Sequence, residues 1–166
     1  LDHLNKLNML DLSNNEISEW VSNTSIQHNN SLTEVILSDN QIVTIKAEAF
    51  TNLELVEKLD LSKNKLTDIA AFVSFPVNSK LKELHLQSNL ITLIPEIIFG
   101  KLPNLELFNV FSNKITSLPG QSGASINNSL KTLDLHDNLI TTFPSAFLYE
   151  LQTLETLDLH KNAITD

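Results

Sequence analysis

The stretch LKTLDLHDNLIT, from Leu130 to Thr141, sets Asp134, His136 and Asp137 within four positions of one another. Carboxylates and imidazoles are the side chains that ligate divalent metals and move protons near neutral pH. The pair recurs twenty-four residues on, where LETLDLHKNAIT carries Asp158 and His160. In a strand, residues two apart face the same way, so Asp134 projects with His136 and Asp158 with His160. Adjacent strands lie about 4.8 Å apart, so the four side chains would form one cluster. Such a cluster could hold zinc or another divalent ion. It could equally make a carboxylate-rich interface sensitive to pH. Against the metal, LDL also occurs at Asp11 and Asp60 with no histidine nearby. The aspartate therefore belongs to a recurring pattern, and neither a metal nor a cofactor is expected.

Other reactive constellations are missing from the sequence. PGQSG at Pro119 to Gly123 is one residue short of the glycine–serine–glycine spacing of a nucleophile elbow. There is no phosphate-binding glycine loop and no paired-histidine zinc helix. Cysteine is absent and there are three glycines, so thiolate chemistry is excluded and close backbone approach to a nucleotide is not expected. The chain does not read as an enzyme.

The elements that must position these residues follow from one pattern: leucine, two residues, leucine, one residue, leucine, two residues, asparagine, one residue, isoleucine or leucine. It fits LNMLDLSNNEI from Leu7, LTEVILSDNQI from Leu32, VEKLDLSKNKL from Val56 and LKELHLQSNLI from Leu81. It fits again at LELFNVFSNKI from Leu105, LKTLDLHDNLI from Leu130 and LETLDLHKNAI from Leu154. The asparagines Asn15, Asn40, Asn64, Asn89, Asn113, Asn138 and Asn162 mark a spacing that alternates between 25 and 24 residues. The shorter spacers carry a phenylalanine segment (AEAFTNL, PEIIFGKL, PSAFLYEL) and the longer ones end in NNSL or VNSKL. The duplicated unit is therefore read as a pair of repeats.

Each alternating segment is one short strand with its leucines on a single face. A strand in every repeat leaves room only for a return arc, so successive strands pair in parallel with right-handed crossovers. Residues 1–166 then form one quasi-linear domain, each repeat packing on its neighbours. Phe50, Phe99 and Phe147, with Ile45, Ile94 and Phe143, are expected to fill the core from the arc. The seven asparagines are read as a structural ladder, since an amide both donates and accepts and can satisfy the buried backbone of a sharp turn.

The residues between the leucines point onto the opposite, concave face. Reading down it gives Met9, Glu34, Lys58, Glu83, Leu107, Thr132 and Thr156. The next column is Asp11, Ile36, Asp60, His85, Asn109, Asp134 and Asp158, and the third is Ser13, Ser38, Ser62, Gln87, Phe111, His136 and His160. A fourth holds Asn14, Asp39, Lys63, Ser88, Ser112, Asp137 and Lys161. Leu107 and Phe111 are expected to stand exposed, with His85 and Gln87 on one side and Asp134 and His136 on the other. An exposed aromatic rimmed by polar groups is the make-up of an interface hot spot. The expected ligand-binding set is His85, Gln87, Leu107, Asn109, Phe111, Asp134, His136, Asp158 and His160.

The pattern resembles the leucine-rich repeats, over essentially the whole chain. The form LxxLxLxxNxIxxIPxxxFxxL, clearest from Leu81 to Leu102, is similar to the 24-residue class of extracellular ectodomains. Toll-like receptors, neuronal adhesion receptors and small matrix proteoglycans carry such repeats. The resemblance implies an α/β solenoid: a horseshoe of seven repeats with a short-stranded parallel concave sheet and irregular or short-helical convex arcs. It also implies receptor, adhesion or innate-immune-type recognition of a protein or other macromolecular ligand, outside the cell or at its surface. The cysteine-rich end caps of secreted relatives are missing, and the abrupt ends of the pattern are those expected of a fragment of a longer array. A cytosolic scaffold regulating a signalling enzyme is the alternative, though its usual repeats are shorter. Self-association through terminal repeats is a third reading.

Composition narrows the partners. The net charge is −9 and all eleven basic residues are lysine, which disfavours nucleic acid and anionic membranes. No apolar run reaches the length of about 20 residues that spans a bilayer. Asn23, Asn29 and Asn127 head glycosylation sequons compatible with secretion.

Overall fold

The computed structural model describes residues 4, 6–20, 31–50, 53–76, 79–120, 129–149 and 151–165. The sequons at Asn23, Asn29 and Asn127, and Gln121 to Gly123 of the PGQSG stretch, lie outside these residues.

The chain alternates strands with arcs. Its strands are β1 (Met9–Asp11), β2 (Glu19–Trp20), β3 (Glu34–Ile36), β4 (Thr44–Ile45), β5 (Lys58–Asp60), β6 (Glu83–His85), β7 (Leu107–Asn109), β8 (Thr132–Asp134) and β9 (Thr156–Asp158). β1, β3 and β5 to β9 form one seven-stranded sheet in that order, and every pairing is parallel. β2 and β4 make a separate two-stranded parallel pair on the arcs. The register is constant: residues at the same place in consecutive repeats are direct partners, as in His85↔Asn109↔Asp134↔Asp158. The result is the expected solenoid.

The leucines explain the constancy. The middle strand residue and the one two further on point inward: Val35, Leu37, Leu59, Leu61, Leu84, Leu86, Phe108, Val110, Leu133 and Leu135 are all buried. A one-residue slip would turn these side chains out to solvent. Each is worth roughly 1.5–3 kcal/mol of burial, so the register is strongly specified.

The arcs close the core from the other side. They hold 3-10 turns at Ala47–Phe50 and Ala70–Ser74 and four-residue helices α1 (Ile98–Lys101) and α2 (Ser145–Leu148). Helices this short are not stable alone; packing of their apolar side chains holds them. Phe50, Phe99, Phe147 and Ile94 are buried as expected, and Ile45 and Phe143 pack partly buried against the core. One long spacer differs from its expected lack of a phenylalanine segment. Phe72 and Phe75 are buried there and pack on Phe50, with ring centroids 4.7 and 4.4 Å away. Aromatic volume is thus supplied in a long repeat too, from a different register.

The asparagines lie where strand gives way to arc. Asn89 Oδ1 accepts the backbone N–H of Leu66 in the preceding repeat at 2.9 Å. Its Nδ2 donates to Leu61 O of that repeat and to Leu86 O of its own, both at 3.0 Å. Asn40, Asn64, Asn113, Asn138 and Asn162 make the same bonds. Among the described residues, Asn15, in the first repeat, bonds to Leu12 O and Ser13 O of its own turn.

The residue before each asparagine is left-handed. Asn14, Asp39, Lys63, Ser88, Ser112, Asp137 and Lys161 have φ between 51° and 58°. None is glycine, so each corner carries strain that the neighbouring asparagine must over-determine. The fourth column of the concave face is therefore the turn at the sheet's edge.

Asn89→Ala should cost about 1–3 kcal/mol, because it strands buried backbone partners. Asn15→Ala, at an exposed end, should cost much less. Urea denaturation of both variants checks this, and an unchanged midpoint for Asn89→Ala would contradict the ladder.

Candidate ligand-binding face

The aspartate of LDL has a local task. Asp11 Oδ1 accepts the backbone N–H of Ser13, Asp60 that of Ser62, Asp134 that of His136 and Asp158 that of His160, at 2.9–3.1 Å. Such a side-chain bond to the backbone two residues on shapes the exit from the strand. This is why aspartate recurs at the position whether or not a histidine follows.

Where a histidine follows, the same oxygen takes a second donor. Asp134 Oδ1 lies 2.6 Å from His136 Nδ1, and Asp158 Oδ1 lies 2.7 Å from His160 Nδ1. A carboxylate only accepts, so Nδ1 carries the proton and Nε2 is the free ring nitrogen. The pairing also orients the rings. His136 stacks on Phe111 with centroids 4.3 Å apart and planes at 15°, and His160 stacks on His136 at 4.4 Å and 12°. One continuous stack therefore runs over β7, β8 and β9.

This stack alters the expected picture of Phe111. The ring is half-buried, one face against His136, and is not an exposed aromatic anchor. Leu107 is half-buried as well. The constant register brings His136 beside Phe111, and stacking satisfies both rings.

The geometry also bears on metal binding. His136, Asp158 and His160 offer donor atoms within 4.8 Å of one another, and His136 Nδ1 lies 4.0 Å from Asp158 Oδ2. An imidazole ligates through a lone pair in the plane of its ring. Two rings stacked at 12° hold those lone pairs in nearly parallel planes, which do not converge on one ion. Both rings would have to turn and abandon their carboxylates.

The remaining expected residues sit on the neighbouring rungs. His85 Nε2 lies 3.4 Å from Glu83 Oε2 on its own strand. Asn109 pairs with His85 on one side and Asp134 on the other. Asn109 Oδ1 and Gln87 Oε1 are buried without a hydrogen-bond partner among the described residues. The nine expected residues thus fall on four consecutive rungs of one face, β6 to β9.

Charge on the three concave columns is one-sided. Asp11, Glu34, Asp60, Glu83, Asp134 and Asp158 face Lys58 alone, and Lys58 is held by Glu34 at 2.8 Å. A second charge pattern runs along the flank, where Glu57, Lys82, Glu106, Lys131 and Glu155 alternate in sign from rung to rung. Lys82 reaches Glu57 at 2.8 Å and Lys131 reaches Glu106 at 2.6 Å. These partners hold the lysines' pKa above, and that of Glu106 below, the ordinary range. The alternation with repeat parity was the sequence signal for it. A polar groove of about 570 Å³ lies on this flank, lined by Lys80, Pro103, Asn104 and Ser129 as well as Glu57, Lys82 and Glu106.

Family models described as leucine rich repeat match residues 30–77, 79–128, 129–151 and 150–166. No curated protein sequence matches significantly. Among solved structures, the chain is similar to that of a TLR13–ssRNA13 complex, with 29% identity and a TM-score of 0.87 over 98% of this chain. It is also similar to an internalin (inlF) from Listeria monocytogenes str. 4b F2365, with 27% identity and a TM-score of 0.73 over 99% of this chain. The chain spans 23% of the first of those proteins and 45% of the second.

The Asp158 carboxyl is held below the ordinary aspartate range, first by the backbone N–H of His160 and then by its ring. A depressed carboxyl stabilises the fold above its unfolded pKa, and that contribution is lost as pH falls through the depressed value. A carbon-detected NMR titration should place the Asp158 midpoint below that of a model aspartate. His160→Ala should raise it partway, since the backbone donor remains. No change on His160→Ala would show that the ring does not bond the carboxylate in solution.

Proposed function

This chain belongs to the leucine-rich repeat family, and we propose that it is a recognition module of receptor type whose concave sheet binds a protein ligand outside the cell. The observation that carries this reading is the contrast between the two sides of the sheet. One side is a sealed leucine core. The other presents histidine, aspartate, amide and aromatic side chains held in fixed positions on consecutive rungs. Preorganised polar and aromatic groups on a rigid scaffold favour binding, because little side-chain freedom is lost on contact.

The extracellular part of the proposal rests on the 24-residue form of the repeat, the three sequons, and the likeness to TLR13 and an internalin. The TLR13 structure is that protein's complex with ssRNA13, so the fold itself does not rule out RNA as a ligand. The concave face of this chain argues for protein. Its carboxylates would repel phosphates, its lysine is already paired, and the chain has no arginine. We propose binding and not catalysis: in each Asp–His pair one carboxylate oxygen takes both the backbone and the ring N–H of the histidine, and the pairing orders the rings.

Panning a displayed protein library against the domain tests the face. Recovered binders should lose affinity at least about tenfold with His136→Glu, which places a carboxylate in the aromatic stack. They should be indifferent to Thr116→Glu, on the exposed arc. Binders sensitive to the arc change and not to the concave one would refute the concave reading. For location, glycosidase treatment of secreted protein should lower the mass at Asn23, Asn29 or Asn127; an unmodified secreted chain would remove that support.

A further inference from the structure

The aspartates leave one ring nitrogen of each histidine for a ligand. Nδ1 of His136 and of His160 donates to a carboxylate at 2.6 and 2.7 Å. Stacking on Phe111 and on each other, at 4.3 and 4.4 Å, holds the ring planes. Nε2 of either ring has no hydrogen-bond partner among the described residues, and the two side chains keep 21% and 54% of their surface exposed. A ring fixed in this way has one place to take a second proton, and that is Nε2. The Nδ1–H bond survives the change and gains from it, since a charge-assisted bond is stronger. Protonation therefore leaves the rings where they are and reverses the sense of their outer edges, from acceptor to donor. Histidine is the side chain suited to change charge between about pH 5 and 8.

The surroundings hold their charge meanwhile. Asp134 and Asp137 flank His136 from its own repeat, and Asp158 from the next. Asp137 is held below the ordinary aspartate range by the Ser112 hydroxyl, and Asp158 by the backbone N–H of His160. The cations acting on Asp137 are Lys161 and Lys114. β7 brings the uncharged Phe111 and Asn109 to the stack. His85 stands beside Glu83 on β6, two strands from β8.

We propose that this part of the concave face recognises its protein ligand in a pH-dependent way, with His136 and His160 offering two Nε2 acceptors at neutral pH and two Nε2–H donors in mild acid. A ligand that places N–H or O–H groups on these edges is held at neutral pH. In mild acid it meets donors instead, with two positive charges added beside it. Release then needs no rearrangement of the face. The proposal rests on the concave face being the recognition surface, and it adds how that surface is regulated.

Long-range nitrogen–proton NMR of the histidine rings tests the switch in the free protein. Between a pH of about 7.5 and one of about 5.5, Nε2 of His136 and His160 should pass from unprotonated to protonated while Nδ1 stays protonated. Proton contacts between the His136 and Phe111 rings should persist. Titration at Nδ1, or loss of those contacts in acid, would overturn the proposal. Histidine-free binders panned at the higher pH and weakened by His136→Glu test the consequence. Their affinity should fall at least about tenfold at the lower pH. With His136→Phe and His160→Phe combined, which keeps stacked rings without the nitrogens, the fall should be less than about threefold. A melting curve checks that this double variant keeps the array. Equal affinity at the two pH values, or the same fall in the double variant, would overturn the proposal. Where the intact double variant binds at neither pH, the ring nitrogens are the contact and the wild-type ratio decides. Recovery of no binder that depends on His136 would defeat the recognition reading itself; dependent binders with a flat pH response would defeat the pH dependence alone.

Discussion

The fold depends on how a buried turn satisfies its backbone. Every repeat must leave its strand, round a left-handed corner and enter an irregular arc; the backbone ladder still pairs the corner amide, as in Lys63 N–H to Gln87 O, but not the carbonyl three residues before the asparagine or the amide two residues after it. A single asparagine side chain does so, accepting one N–H from the repeat before and donating to carbonyls of both repeats. A carboxylate in its place could not donate, and a hydroxyl could not span the gap. The asparagine also fixes the distance and rotation between consecutive repeats. Because the tie is the same each time, each concave column runs straight, and residues one repeat apart become neighbours.

That straightness creates the face. His136 meets Phe111 and His160 only because the third column lies in register over β7, β8 and β9. The aspartates then serve twice, closing the strand exit with one bond and setting the histidine ring with another. What looked like a reactive DLHD motif is a structural aspartate, a buried leucine, an oriented ring and a left-handed corner residue. Among the described residues, what remains for a ligand is the outer carboxylate oxygens and the Nε2 edges of rings already oriented by Asp134 and Asp158.

The period, the parallel strands, the asparagine ladder and the arc phenylalanines were legible in the sequence, because each is repeated and repetition cancels local ambiguity. The residues of the candidate face were legible as columns for the same reason. Their arrangement was not. Whether Phe111 stands free or stacks is decided by rotamers, which have no periodic signature, and the ring turned out half-buried against His136. Phe72 and Phe75 escaped because a single long repeat places its aromatics out of phase with the others. The left-handed corners carried no glycine to announce them: asparagine, aspartate, lysine and serine occupy them because the neighbouring asparagine bonds impose the conformation. That Gln87 Oε1 and Asn109 Oδ1 are buried without a partner among the described residues is a fact of three-dimensional packing alone.

Native-state hydrogen exchange at the amides that donate to the asparagine side chains probes this tie most directly. These are Ile42, Leu66, Ile91, Ile115 and Ile140. All lie just outside the strands and would exchange as loop amides if the ladder were only decoration. If the asparagines hold the repeats together, these amides should be protected as well as Leu61 and Leu86, one residue past β5 and β6, whose amides are bonded to His85 O and Asn109 O of the next repeat and open only with the array. Rapid exchange at Leu66, Ile91 and Ile115, with Leu61 and Leu86 still protected, would show that the leucine core joins the repeats without the asparagines and would contradict the ladder's role.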